Sequence, residues 1–478
     1  MTSIGMLHHW MTQNRHRWLR PLIVIAALLI SVSLAVTASE IYPIMFIGLL
    51  VGLGAVLALM RWPSLGLVVL IGTTIIPFNG PSGVNATMAL VALLLGLWVL
   101  DILVYQRDMR LVSSRTMWPT LAIVIFAGIA IGLGQLPWFP FAQPAPLGAQ
   151  LGGLTIVMLS VGAFLLVAHQ VRDVRWLETM IWLFLVSGGL YIAGRLVPGL
   201  GQVTSPVFES GSVGSLFWVW LMAMALSQAL LNRHLHPGWR LALGGLALAT
   251  GYVAYFQAHA WKSGWIPPLV TAVAVIGFRW WKLGLVLILI GLVLAPDLPA
   301  QVIASDAYSY ATRIEAWEIM LDMIKASPVL GLGFANYHWY TPLYRIRGYA
   351  VRFNSHNQYI DVVAQMGLLG LACFLWFAWE VGRVGWQLRE KVPRGFARAY
   401  VYGALGGLIG TLQAGLLGDW VLPFFYNVGM TGFRASVLGW LFLGGLVALE
   451  RMTSQSDSSE IRQIDLKSGE GHASPGSA

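Results

Sequence analysis

Apolar runs of roughly 17–23 residues recur from one end of the chain to the other, each matching the ~30 Å hydrocarbon core of a bilayer. About fourteen are read, beginning near Pro21, Tyr42, Pro63, Ala86, Met117, Gln150, Trp176, Gly211, Trp239, Gly264, Trp281, Asn357, Ala399 and Gly432. One long hydrophilic connection, residues 297–356, interrupts them. Inside it, YATRIEAWEIMLDMIKASP predicts an amphipathic helix. At ~100° per residue, Glu315, Glu318, Asp322 and Lys325 share one face, and Ile314, Trp317, Met320, Leu321 and Ile324 the other. Ser327-Pro328 ends that helix and GLGF follows as a flexible turn.

Composition agrees with this pattern. Of 478 residues, 57% are hydrophobic and only 10% charged, with 22 Trp and a mean hydropathy of +0.72. A soluble domain carries about a quarter charged residues, and a membrane β-barrel is built from alternating segments of about ten residues. The reading is an all-α polytopic membrane protein. Its parts are a basic cytoplasmic amino terminus (1–20), about eleven spans (21–296), the outer loop (297–356), about three more spans (357–450) and a Ser/Gly-rich disordered cytoplasmic tail (451–478). The basic start resembles a signal peptide, but the spans that follow make it an uncleaved signal anchor. Cys373 is the only cysteine, so no internal disulfide can form.

Charge sets the sidedness. With the amino terminus in the cytoplasm and alternating spans, 21 of the 29 Lys and Arg fall on cytoplasmic segments, and both termini lie inside. The net charge of +9 is then mainly an orientation signal and calls for no nucleic acid. The outer side keeps Arg195, Lys262, Arg313, Lys325, Arg345, Arg347, Arg352 and Arg434. The orientation rule does not explain these eight, so each invites another reason.

Arg313 projects onto the apolar side of the amphipathic helix, between Trp317 and Met320. A cation there snorkels to the interface or meets an anion. Asn354, Gln358, Asp361 and Gln365 form a polar stripe on the helix that follows the loop, and lipid cannot solvate such a stripe. Asn354 and Ser355 are placed to cap that helix. His356, beside an outward cavity lined by Arg313, Arg352 and Lys262, is the candidate base. Arg195 either binds an anion or anchors its span. Arg345 and Arg347 read as headgroup or solvent contacts, His259 and His338 as structural, and GDWVLPFFYN, between Asp419 and Arg434, as an interfacial aromatic belt. Metal-spaced histidines, HExxH, CxxC and a phosphate-cradling glycine loop are all missing from the sequence.

The chain resembles the superfamily of O-antigen ligases and polysaccharide polymerases, which are bacterial membrane glycosyltransferases. About sixty residues carry the likeness: Arg313 followed by Trp317, the Pro-x-x-Gly-x-Gly turn Pro328–Gly333, His356-Asn357-x-Tyr359 and the Gly367-x-x-Gly370 step. The resemblance implies a GT-C-like helical fold and an undecaprenyl diphosphate-type glycan donor used at the outer face of the inner membrane. It implies donor-diphosphate binding by Arg313, Lys262, Arg195 and Arg352. It makes His356 the group that serves the acceptor hydroxyl, with Asn357, Tyr359, Gln365 and Trp317 in support. Lys262 stands where members have an arginine, which replaces a bidentate fork by a point charge. Gln365 stands where many have Glu. The expected partners are the lipid-linked donor, a glycan, lipid or protein acceptor, and membrane lipids. No cofactor or metal is expected, and transfer should invert the anomeric centre. A flippase for the same lipid-linked glycan is the alternative. It would need charges deep in a central cavity, whereas these cluster at the outer mouth.

Overall fold

The computed structural model describes residues 52–80, 83–106, 111–294, 300, 304 and 306–470. The chain divides into two units, residues 1–63 and 64–478. In the first, the described part is helix α1 (Gly52–Arg61), and the runs expected from Pro21 and Tyr42 lie outside the described residues. The second unit begins within α2 (Pro63–Thr73). It continues through α3 (Ala86–Asp101), α4 (Met117–Leu133), α5 (Leu147–Gln170), α6 (Val174–Leu196), α7 (Leu200–Ser212) and α8 (Ser215–Leu231). Then come α9 (Pro237–Tyr252), α10 (Lys262–Arg279), α11 (Trp281–Leu294), α12 (Ala307–Ile324) and the short α13 (Asn336–Tyr340). α14 (Gln358–Lys391), α15 (Phe396–Leu417) and α16 (Phe433–Glu470) complete it. Apart from two isolated bridges, the described residues contain no β-structure.

The chain is a multi-pass membrane protein, but the described residues do not confirm about fourteen spans. Among the described residues, six helices are long and apolar enough to cross a membrane, or up to eight if each bent pair is one span. Apolar runs mark where helices begin better than how far they continue. The run read from Gly211 becomes α8, which meets the preceding α7 at a bend of 103°. α4 and α11 have only 17 and 14 residues. The last helix runs to Glu470, into the segment that composition marks as tail, and residues 471–478 lie outside the described ones.

Small residues let the central helices meet closely. A Cβ on Gly403 or Gly406 of α15 would stand 3.1 Å from the Ala223 carbonyl of α8 or 3.2 Å from the Thr271 carbonyl of α10, so backbone approaches backbone where glycine leaves room. The polar stripe on α14 lies inside this bundle: Gln358, Asp361 and Gln365 are all buried.

α14 is broken at Gly367, whose φ of 71° and ψ of −176° are not helical. Such a break frees backbone groups that need partners. The turn Pro328–Gly333 supplies them. Leu332 N–H donates to the Ala364 carbonyl at 2.8 Å and Gly333 N–H to that of Gln365 at 3.2 Å, while Leu368 N–H donates to the Pro328 carbonyl at 2.9 Å. Gly331 has φ +79°, and a Cβ there would lie 2.5 Å from Gly367 N. The two glycine motifs in the sequence are therefore two halves of one backbone junction.

α12 lies over this junction with its faces rotated from the expected pattern. Ala316, Met320, Met323 and Ile324 are buried, whereas Leu321 is 54% exposed. Met323, not Leu321, completes the i, i+3, i+4 stripe that meets Tyr337, Tyr340 and Val363. The segment GDWVLPFFYN is not an interfacial belt. Asp419, Val421, Leu422 and Phe424 are buried, held by Gln358, whose Oε1 accepts from Val421 N–H and Leu422 N–H at 3.0 and 2.8 Å.

Candidate functional site

A cleft of about 320 Å³ opens beside α12. Thr312, Arg313 and Ala316 form one wall, Arg352–Asn354 and His356 another, and His338, Ile346 and Tyr426 the rest. Of the expected site residues, the structure therefore brings together Arg313, Arg352 and His356. Lys262 and Arg195 do not line this space. The exposed Lys262 ammonium donates to the His259 carbonyl at 3.3 Å, and Arg195 pairs with Gln257, its Nε donating to Oε1 at 3.1 Å.

Lys262 is nevertheless linked to the cleft through its neighbour. Ser263 Oγ donates to the Leu417 carbonyl at 3.1 Å, and Arg313 Nη1 donates to the same oxygen at 3.4 Å. The carbonyl at the end of α15 thus ties the start of α10 to α12. Burial lowers the Arg313 pKa, partly offset by Asp306. Arg352 is placed by its guanidinium, 3.8 Å from the Trp339 ring centroid, and Trp339 Nε1 donates to Tyr426 Oη at 2.9 Å.

His356 sits at φ +48°, in the left-handed region that side chains with a Cβ avoid. Strain of this kind persists only when neighbours fix the backbone on both sides. Trp317 Nε1 donates to the Ser355 carbonyl at 2.7 Å. On the other side, Asn357 N–H donates to Ser355 Oγ at 2.9 Å. The Asn357 side chain caps α14, accepting from Tyr359 N–H and Ile360 N–H at 3.0 and 3.3 Å. The cap is thus Asn357, not Asn354 or Ser355: with the left-handed turn at His356, the cap lies two residues beyond Ser355. Tyr359 Oη donates to the Leu412 carbonyl at 2.6 Å, and Gln365 Oε1 accepts from Ala335 N–H at 3.3 Å. Trp317, Asn357, Tyr359 and Gln365 all hold backbone rather than line the cleft.

His356 is half-buried, and its pKa is lowered to about 4, by burial first and by the Arg313 charge second. The imidazole is therefore neutral at pH 7. No hydrogen bond from another described residue fixes its tautomer, so both ring nitrogens remain available to a ligand.

A second histidine shares the space. His338 Nδ1 lies 2.9 Å from the Phe353 carbonyl, which only a protonated Nδ1 can satisfy in the neutral ring, so Nε2 is left as an acceptor. The ring stacks on Tyr426 at 4.6 Å and 16°, and burial lowers its pKa. His338 and Tyr426 are the residues that sequence reasoning missed. His338 lies only two residues past the buried Asn336 that opens α13, whereas Tyr426 comes from a segment 88 residues on, with no local signal.

Beneath the cleft lie two fully buried carboxylates. Asp361 Oδ1 accepts from Tyr337 Oη at 2.5 Å and stands 2.9 Å from Ser355 Oγ. Asp419 accepts from Phe424 N–H at 2.7 Å and from the Asn427 amide at 2.5 Å. Burial pushes the Asp419 carboxyl up, against these two donors. Neither carboxylate lines the cleft, which presents two cations and two imidazoles to an entering ligand.

No curated protein matches the chain at a significant level. A family model described as O-antigen ligase matches residues 238–375, a stretch that holds Lys262, α12, the glycine junction, His338, Arg352 and His356. That match supports the superfamily which the motifs resemble: residues 238–375 are similar to the O-antigen ligase family.

Proposed function

We propose that the protein is a membrane glycosyltransferase that moves a glycan from an undecaprenyl diphosphate-type donor to an acceptor hydroxyl at the outer face of the inner membrane. The observation that carries this reading is the shared cleft of Arg313, Arg352 and His356. Guanidinium forks match phosphate oxygens in charge and shape, and a neutral imidazole can take a proton.

In the reaction, the acceptor oxygen attacks the anomeric carbon as its proton passes to His356. The bond from that carbon to the diphosphate oxygen breaks, and the electron pair leaves with the lipid diphosphate. Arg313 and Arg352 meet the charge that develops there. A diphosphate leaves without an acid to protonate it, and the guanidinium groups supply the neutralising charge, so the step is written without a metal. A His356 pKa near 4 makes a weak base, but Arg313 is one cause of that value. An anionic donor bound to Arg313 offsets this charge and strengthens the base when it is needed. His338 Nε2 and Tyr426 then orient the acceptor.

Direct displacement inverts the anomeric centre. Product analysis by NMR tests this: inverted configuration is expected, and net retention contradicts a single displacement.

A further inference from the structure

Three helices connect the cleft to the other end of the bundle. α8 and α10 start beside it, where Ser215 Oγ donates to the Ser263 carbonyl at 2.5 Å, and α15 ends beside it at Leu417. With 22 residues, α15 is about 33 Å long, close to the thickness of the hydrocarbon core. The far ends of these helices surround a second cavity of about 340 Å³.

Four arginines line this cavity: Arg233 just after α8, Arg279 at the end of α10, Arg394 just before α15 and Arg398 in its first turn. No carboxylate is among its lining residues. Arg398 Nη2 donates to the Val392 carbonyl at 3.2 Å, but its buried Nε has no acceptor among the described residues. Like charges around one space repel, and a phosphate with its several acceptor oxygens relieves them. Leu230, Leu231 and Trp280 add an apolar wall, and tryptophan belongs at the boundary of hydrocarbon and water. Charge beside apolar surface suits a ligand that carries both.

Orientation bias scatters arginines along a membrane face. It does not require four of them, from three helices, to enclose one space. We propose that this cavity binds the phosphate group of an anionic phospholipid at the membrane face opposite the cleft. The proposal does not depend on the glycosyl-transfer reading.

Native mass spectrometry of the full chain, titrated in detergent with phosphatidylglycerol or phosphatidylcholine, tests it. One phosphatidylglycerol should be retained with about tenfold preference over phosphatidylcholine, and Arg394→Ala with Arg398→Ala should abolish that preference. Arg233→Ala with Arg279→Ala removes charge from the other two helices, so that misfolding of one pair leaves the other to decide. Equal retention of the two lipids, or unchanged preference in a folded double variant, overturns the proposal. Displacement of the lipid by inorganic phosphate at a matching concentration would assign the cavity to a soluble phosphate and overturn the lipid assignment.

Discussion

The indole of Trp317 donates to the carbonyl of Ser355 at 2.7 Å, across 38 positions of sequence. This bond fixes the peptide that leads into the left-handed turn at His356, so α12 sets both the Arg313 guanidinium and the direction of the imidazole. Trp317→Phe keeps a ring in place and removes the donor. A neutral hydrogen bond contributes about 1 kcal/mol to stability, so thermal unfolding should change little. The kcat for transfer should fall about tenfold, because a small displacement of a catalytic group is costly.

The glycine junction is a stability element. Gly331→Ala combines a positive φ with a Cβ 2.5 Å from Gly367 N, and should cost about 2 kcal/mol or more. Gly291→Ala on α11 meets nothing within 4 Å and serves as the control. Unfolding of both variants in detergent checks this; equal midpoints would mean that the junction is loose.

Tyr337 is the closest partner of the buried Asp361. Tyr337→Phe leaves that carboxylate oxygen with Ser355 alone, at a cost of about 1–3 kcal/mol. The unfolding midpoint should drop, while the KM for donor stays as it was, since Tyr337 does not line the cleft.

The pH dependence follows from His356. Its folded pKa of about 4 lies below the usual 6.5, so the free protein keeps a neutral base throughout the mildly acidic range. The acid limb of kcat/KM should therefore lie well below pH 6.5. Because bound diphosphate offsets Arg313, the acid limb of kcat should lie at higher pH than that of kcat/KM. Profiles of both quantities check the order of the two limbs.

Much of this was legible in the chain. Arg313, Trp317, the two glycine motifs and His356 fall within sixty residues, and one local junction brings them together. The burial of Gln358 and Asp361 followed from their spacing, since polar groups on one face of an apolar helix need an interior. What sequence could not show came from distant contacts. The helix α7 and its 103° bend into α8 lie ahead of the apolar run read from Gly211. Lys262 reaches the cleft only through Ser263 and a carbonyl 154 residues away. The aromatic segment after Asp419 reads as a membrane belt until Gln358 is seen to hold its backbone.

The most direct test is transfer by purified protein in lipid, supplied with a glycan on a lipid diphosphate, comparing wild type with His356→Ala and Arg313→Ala. Both variants should fold and lose activity, the histidine variant by about 10²–10⁴-fold, as expected for a lost general base. A ladder of wild-type products would indicate polymerisation, and a single addition to a supplied acceptor ligation. Undiminished transfer by folded His356→Ala would contradict the account.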